Sequence, residues 1–560
     1  MVDPSPPPVL FRGRPLALQP GETLLTALGR SGFPRIARSI RYHRPRGPFC
    51  GVGFCTQCLV RVNGVPNVRA CRYVPRPGDR ITTENAWPSP AFDLLGVLDP
   101  LLPNGLDTLH GLRRPAFFRP LYHRVVRRLS GHGELPRGTP PASPPAEELA
   151  ADLVIIGAGP AGRSAAEQAC TEGLRPMLLD RGALLDPPEG VDARPGTMAV
   201  FLPPPRPGED RPFRLLATDG PRAVTVSARR VIVATGAYDA NLLFTGNDRP
   251  GVMTAEGAIA LQAADGSVPF RRALVVGGGR RALEMMRRFG PRIAAVTGPG
   301  PVHGSIAEAA AHLGVPVHPR SLLLAAEGRA RVRSVRLRHR GGGEPSRVEV
   351  DAVLLAHRRL PHSQLLFQSG TRMGWRGGIG AYYPVLDESF RTSVPGLFVA
   401  GEAAGFAEPS AIVASGRAAA EAALGRPTST AELPARVDEA GPGELEGYYR
   451  ELFGQPAPRG KCVACPCEDV LLRELEEAHG RGYQGIEVMK RYTSLGAGLC
   501  QGRYCVPEAI LLLSAWEGRP PAEVGYITQR PPVLPTSLGA LAGLPEEAPD
   551  PVPAGAPVGH

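Results

Sequence analysis

Lysine is almost missing from this 560-residue chain: only Lys461 and Lys490 occur, so 62 of its 64 basic residues are arginine. The formal net charge is +11, yet no long basic run interleaved with aromatics appears. A nucleic-acid footprint needs a clustered basic stripe, so nucleic acid is not an expected partner and the charge reads as solvated surface. No stretch reaches the ~20 apolar residues that cross a bilayer, so no transmembrane segment is expected. The opening MVDPSPPPVLFRGRPL lacks a charged segment followed by an apolar one, which predicts no secretory signal. A cytoplasmic location is expected, where thiols stay reduced and structural disulfides are rare. Cysteine is scarce too, ten residues in all, and nine of them fall in two groups at opposite ends of the chain. That distribution points to cofactors.

The length allows three or four domains, each with its own core. Short strand-like runs, a helix at GETLLTALGRSG and the first cysteine group occupy residues 9–88. Residues 89–150 form a connector ending in the Pro-rich linker ELPRGTPPASPPAEE. Apolar strands alternate with Ala-rich helical segments over 151–425, an α/β signature. The second cysteine group lies among helical stretches at 457–530, and residues 545–560 read as a disordered tail.

The first group is spaced Cys50-x4-Cys55-x2-Cys58-x12-Cys71. Three thiols from one loop can wrap one side of a [2Fe–2S] rhomb while the fourth arrives from a later element, as in plant-type ferredoxins. Gly51 and Gly53 let the loop turn tightly and leave backbone N–H groups free to face sulfur. After Cys58, LVRVNGVPNV reads as strand, Asn-Gly turn and return strand, which carries Cys71 back. Structural zinc and inert thiols are the alternatives; zinc usually uses two separated short knuckles.

The spacing with the following PGDRITTEN resembles the β-grasp ferredoxin module of molybdenum hydroxylases. The flanking RSIRYHRPRG, PNVRA and AWPSPAFDLLGVLDPLLP resemble the N-terminus of heterotetrameric sarcosine oxidase α subunits. Relatives that keep the cysteines are subunits of hydrogen cyanide synthase, opine oxidase and dye-linked proline or hydroxyproline dehydrogenases. Because the chain stops at residue 560, the folate-binding domain of the sarcosine oxidases is not expected.

DLVIIGAGPAGRSAAEQACTEGLRPMLLD reads as strand, phosphate turn, helix and a second strand ending in an acid. Gly157 makes the turn, Gly159 lets backbone approach a pyrophosphate, and Gly162 permits close helix packing; Pro160 and Ala161 open the helix whose N–H groups face the phosphates. Asp180 is placed to accept from ribose hydroxyls. Cys170, inside that helix, reads as a small core residue. RRVIVATGAY, with Ala234, Thr235 and Gly236, and TSVPGLFVAGEAAG, with Gly401 and Glu402 where the usual residue is Asp, resemble the two flavin-contact strands of two-dinucleotide flavoproteins. They tilt the assignment to FAD, although some relatives hold NAD or ATP at this position. Only 53 residues separate Asp180 from Ala234, and this Pro-rich stretch lacks the usual substrate-side helix, which leaves the flavin face open or covered by a partner.

A second fingerprint, ALVVGGGRRALEMMRRFGPRIAAVTGPG, has Gly277, Gly279 and Ala282 in place. Its second strand ends at Thr297 with no acid for a ribose, and Arg280 and Arg281 are expected to crowd the turn. It reads as a vestigial Rossmann layer, with NAD(P) doubtful. His357 and His362 read as surface or packing residues.

The C-terminal group runs Cys465-x-Cys467-x32-Cys500-x4-Cys505, with Cys462 as an extra thiol and Gly496, Gly498 and Gly502 nearby. The pattern C-x-C-E…CQGR-C resembles the helical [2Fe–2S] domain of bacterioferritin-associated ferredoxin type. Zinc remains the alternative, and either Cys462 or Cys465 could ligate. KRYT, with Lys490, Arg491 and Thr493, resembles a segment beside an FMN shared between α and β subunits of sarcosine oxidase-like complexes. The expected fold is thus an α/β two-dinucleotide-binding, FAD/NAD-linked reductase-like core. It carries an N-terminal β-grasp [2Fe–2S] ferredoxin-like domain and a small C-terminal helical [2Fe–2S] domain. The FAD-binding part is expected at 151–265 plus 355–425, with an NAD-binding-like insert at 266–354. The resemblance implies an electron-transfer α subunit of a hetero-oligomeric amino-acid, imino-acid or opine dehydrogenase or oxidase. Its cofactors would be FAD, two [2Fe–2S] clusters and an interfacial FMN, and its partner an FAD-dependent amine-oxidase-like β subunit. No catalytic residue is expected on this chain.

Overall fold

The computed structural model describes residues 7–33, 35–94, 143–182, 186–266, 268–428, 444–453 and 461–545. Most of the connector and nearly all of the expected tail lie outside them. The chain forms two compact units, one from Met1–Gly138, Asp239–Arg358 and Leu445–Trp516, the other from Thr139–Tyr238, Arg359–Glu444 and Glu517–His560.

In the first unit the N-terminal part is a five-stranded sheet, ordered Arg14–Pro15, Leu10–Phe11, Arg80–Thr83, Leu59–Val62, Val65–Arg69. The central pair Leu10–Phe11 and Arg80–Thr83 is parallel and the other pairs are antiparallel. The expected hairpin is present: Asn63 and Gly64 both take positive φ, 49° and 85°, as a tight two-residue turn between right-twisted strands requires. Helix Leu24–Arg30 is capped by Thr23 and covers the sheet with Leu24, Leu25 and Leu28 fully buried. Strands Val252–Thr254, Ala352–Leu355, Ala273–Val276, Ile293–Thr297 and Val317–His318 form a parallel sheet. Continuous Val/Leu/Ala runs suit strands covered on both faces. Val252–Thr254, which precedes the expected insert at 266–354, pairs inside this sheet, and Asp239–Arg358 falls in the first unit. Its apolar residues, including Met253, Ala255 and Leu261, share one core with Leu24, Leu28, Val60 and Ala70 of the β-grasp part. The cysteine-bearing C-terminal segment, a short hairpin with helices Leu472–Gly480, Ile486–Thr493 and Val506–Glu517, belongs to the same unit.

The second unit is built on a sheet ordered Asp192–Pro195, Met177–Asp180, Glu147–Ile156, Ala223–Val233, Phe213–Thr218, Met198–Phe201, with Leu397–Val399 also parallel to Ala223–Val233. Among the described residues between Asp180 and Ala234 there are strands and no helix. Helices Pro160–Thr171 and Pro409–Ala423 touch where a Cβ on Gly416 would overlap the Ala161 carbonyl oxygen. Gly416→Ala must therefore push these helices apart. It is expected to cost about 1–3 kcal/mol, read as a lowered unfolding midpoint, whereas Gly29→Ala, at an ordinary helical φ with nothing near its Cβ position, should cost less.

Candidate cofactor sites

The strand Glu147–Ile156 delivers the first glycine turn. Gly157 has φ 107°, and a Cβ there would overlap the Ala234 carbonyl oxygen; one on Gly162 would overlap the Gly157 carbonyl oxygen. Gly159 alone faces open space, and Pro160 begins a helix with no acid in its first turn. An open glycine at an uncompensated helix N-terminus fits a pyrophosphate. Asp180 accepts the N–H of Ala158 and of Gly182, each at 2.7 Å, so it braces the turn. Thr235 Oγ donates to His362 O at 3.0 Å, and the Gly401 N–H donates to Ser415 Oγ at 2.9 Å. Gly236 and Glu402 are brought together, with the Gly236 Cβ position 3.7 Å from Glu402 Oε2. Sequence reasoning missed Arg359, whose Nε and Nη2 hold the Glu402 carboxylate at 2.5 and 3.0 Å while Nη2 also donates to Ala237 O.

In the second fingerprint the chain covers its own turn. A Cβ on Gly278 would overlap the Pro301 carbonyl oxygen, and the His303 N–H donates to Gly278 O at 2.9 Å. Arg281 does not crowd the turn as expected. It pairs with fully buried Asp239 at 3.1 Å and with Glu284 at 2.6 Å, because burying Asp239 demands a counter-charge. Both ring nitrogens of His357 are buried without partners, and burial, then the Arg358 charge, push its protonation well down. His362 packs on Tyr238 with ring centroids 4.9 Å apart.

The first cysteine cage is a buried loop closed by the hairpin. All ten cysteines are free, and the eight candidate ligands are buried. Cys50 interacts with Cys55 and Cys71, and Cys71 also with Cys58. The Cys55 N–H points at Cys50 Sγ, 3.4 Å away. In the second cage Cys500 interacts with Cys467 and Cys505, and Cys505 with Cys465. Cys462 instead faces the Phe244 backbone and Asp248. Gly498 makes room for Cys467, whose Cβ would lie 2.6 Å from a Cβ at that glycine. Each set thus brings four buried thiols into mutual contact, the donor set that a two-iron cluster takes. Near the first cage, Arg46 Nε and Arg69 Nε and Nη2 are buried without acceptors. Orphaned guanidinium nitrogens beside thiols fit an anionic group of the tetrathiolate iron–sulfur kind.

The two cages adjoin, although some 400 positions separate them in sequence. Gln57 Nε2 donates to Pro466 O at 2.9 Å, and Arg46 Nη2 reaches Cys467 O at 3.5 Å. Phe49 meets Tyr504 edge-on at 5.3 Å, and the Arg503 guanidinium lies 5.0 Å over the Phe54 ring. Arg44, fully buried, donates through Nε to Asp469 Oδ1 at 2.9 Å and through Nη2 to Pro466 O at 3.1 Å. Burial alone would raise the Asp469 pKa, but Arg44 and then Arg46 outweigh it and hold the carboxyl at about 2. Lys490, in the helix Ile486–Thr493, lies 3.8 Å from Glu487; Arg491 is exposed, and Thr493 Oγ donates back to Met489 O.

Removing one partner of a buried pair strands the other charge. Asp469→Asn is expected to destabilise the chain by about 3–5 kcal/mol, measured as a lowered denaturant midpoint. Asp210→Asn, at an exposed pair with Arg229, should leave that midpoint nearly unchanged.

Residues 8–86 match the family model of the 2Fe-2S iron-sulfur cluster binding domain. Residues 208–423 match pyridine nucleotide-disulphide oxidoreductase, and residues 461–544 match the sarcosine oxidase A3 domain. The chain is 29% identical to sarcosine oxidase subunit alpha of Rhizobium meliloti over 95% of its length, and it spans 57% of that relative. Over 75 residues it is 45% identical to hydrogen cyanide synthase subunit HcnA of Pseudomonas aeruginosa, covering 13% of this chain and 71% of the relative. The L-proline dehydrogenase of P. horikoshii shares the fold, with a TM-score of 0.67 at 21% identity over 96% of this chain and 97% of that one. The expected fold is therefore present: a 2Fe-2S β-grasp domain, a two-dinucleotide core and a C-terminal sarcosine oxidase-type domain. The chain belongs to the family of sarcosine oxidase α subunits, opine oxidase A subunits and hydrogen cyanide synthase subunits.

Proposed function

We propose that this chain is the electron-transfer subunit of a hetero-oligomeric, cytoplasmic dehydrogenase or oxidase acting on CH–NH bonds of amino acids, imino acids or opines. Substrate would be oxidised on a partner FAD-dependent, amine-oxidase-like β subunit. The observation that carries the reading is the contact between the two cysteine cages within one unit. When bound, a flavin and two [2Fe–2S] clusters would supply conversion of a two-electron parcel into single electrons and their onward passage.

The residues divide the work. Cys50, Cys55, Cys58 and Cys71 hold one cluster, and Cys465, Cys467, Cys500 and Cys505 the other; the position of Cys462 beside Asp248 favours Cys465 as the ligand. Burial of the thiols excludes water. The Arg44–Asp469 pair fixes the distance between the loops. Gly157, Gly159, Pro160, Ala161 and Gly162 cradle the FAD pyrophosphate, Asp180 faces the ribose, and Ala234, Thr235, Gly236, Gly401 and Glu402 line the flavin side. Lys490, Arg491 and Thr493, on a helix that presents an exposed arginine, hold the phosphate of an FMN shared with the partner. The turn covered by Pro301 supports a second Rossmann layer that packs the fold and takes no NAD(P).

Anaerobic isolation with the partner is expected to yield about four irons and about four acid-labile sulfides per chain, with a paramagnetic signal on reduction. A colourless or zinc-bearing chain would sink the proposal. NADH and NADPH are expected not to bleach the flavin rapidly, whereas an amino-acid, imino-acid or opine substrate of the assembled complex should; rapid bleaching by NADPH would make the chain a self-contained reductase.

A further inference from the structure

We propose that Thr56, a member of the first cage's loop, donates its hydroxyl hydrogen bond to Cys467 of the second cage and so sets the second cluster's reduction potential. The inference rests on the reading that both cages hold iron. Thr56 sits between Cys55 and Cys58, yet its hydroxyl addresses neither. It lies against Cys467, and its Oγ is buried without a hydrogen-bond partner. A buried hydroxyl without an acceptor is costly, so a sulfur carrying negative charge is the acceptor this position provides for.

The register of that contact is fixed from both sides. Arg46 Nη1 donates to the Thr56 carbonyl at 3.4 Å while its Nη2 reaches Cys467 O at 3.5 Å. The next residue, Gln57, donates to Pro466 O at 2.9 Å. Thr56 is thereby pinned to the strand–turn that carries Cys467, and its hydroxyl has no room to swing to solvent.

A donor to a ligand sulfur stabilises whichever state places more negative charge there, and reduction by one electron adds that charge. Thr56 therefore favours the reduced state of the second cage over the first. Thr56 is a positioning residue for the electron: it biases where a single electron rests, with no bond made or broken and no proton transferred.

The test is a redox titration of the full chain, followed by its paramagnetic signals, with Cys500→Ser used to assign the second cluster. In Thr56→Val the reduced-to-oxidised ratio of the second cluster at fixed potential should fall about tenfold, which for one electron is about 59 mV. The first cluster should not move, and Thr56→Ser should restore the wild-type value. Thr56→Ala provides a second hydroxyl-free variant should the valine one bind less iron. Unchanged potentials, or equal shifts of both clusters, would overturn the proposal, because a merely structural threonine has no reason to act on one cluster. If the wild-type chain itself shows only one cluster, the two-cage reading fails before any variant is made.

Discussion

The arrangement of the iron–sulfur half of this protein depends on one buried ion pair, Arg44 with Asp469. Taking a guanidinium and a carboxylate out of water costs several kcal/mol each, and a hydrophobic pair of like volume would be no less stable. What the pair supplies is register. Arg44 binds Asp469 and the Pro466 carbonyl together, and its backbone N–H is tied to Ser39 Oγ at 2.9 Å. A loop that could slide along an apolar surface is thus fixed to one position, with Asp469 held in a left-handed conformation at φ 56° by donors on several sides. The separation of the two cages follows from that position.

The electrostatics point the same way. A tetrathiolate iron–sulfur group is anionic, and two of them, one in each cage as proposed, would repel in a low-dielectric interior. The residues between and around the cages answer this with arginine: Arg46 spans both loops, Arg69 turns unpaired nitrogens inward, and Arg503 lies over Phe54 while binding Cys500 O at 2.8 Å. The carboxylates Asp469 and Asp248 limit the excess positive charge. The site is built to hold more negative charge than the protein's own side chains provide.

The legible parts of the structure were those with local rules. Glycines that a Cβ would destroy, such as Gly157 and Gly162, announce a phosphate turn because the steric demand lies within a few residues. The Asn63-Gly64 turn fixes its hairpin for the same reason. Ion pairs across long sequence distances carried no such mark. Arg281 looked like an obstruction in its turn until Asp239, 42 positions earlier, proved to be its partner. Arg359 gave no hint that it would grip Glu402, and neither did the neighbours of Cys462 and Cys465, Asp248 and Cys505, show in the spacing. The adjacency of the cages was invisible because nothing in either cysteine spacing refers to the other.

The shortage of lysine acquires a structural meaning in this light. At the buried and half-buried pairs the carboxylate is met by the planar edge of a guanidinium, from Arg44 to Asp469, Arg281 to Asp239 and Arg359 to Glu402. Arg358, beside Glu508 and Tyr449, is buried in the same manner. A fork of five fixed donors can satisfy a carboxylate and a backbone carbonyl at once, as Arg44 and Arg359 do, and stays charged when buried; an ammonium is a strongly hydrated point charge that gives up its proton more readily in such places. The two lysines present occupy different settings. Lys461 lies 4.6 Å over the Tyr42 ring and Lys490 sits beside Glu487 on a helix surface. Whatever coding bias supplied the arginines, these interior positions require them, and replacement by lysine at Arg44 would forfeit the second acceptor together with the geometry.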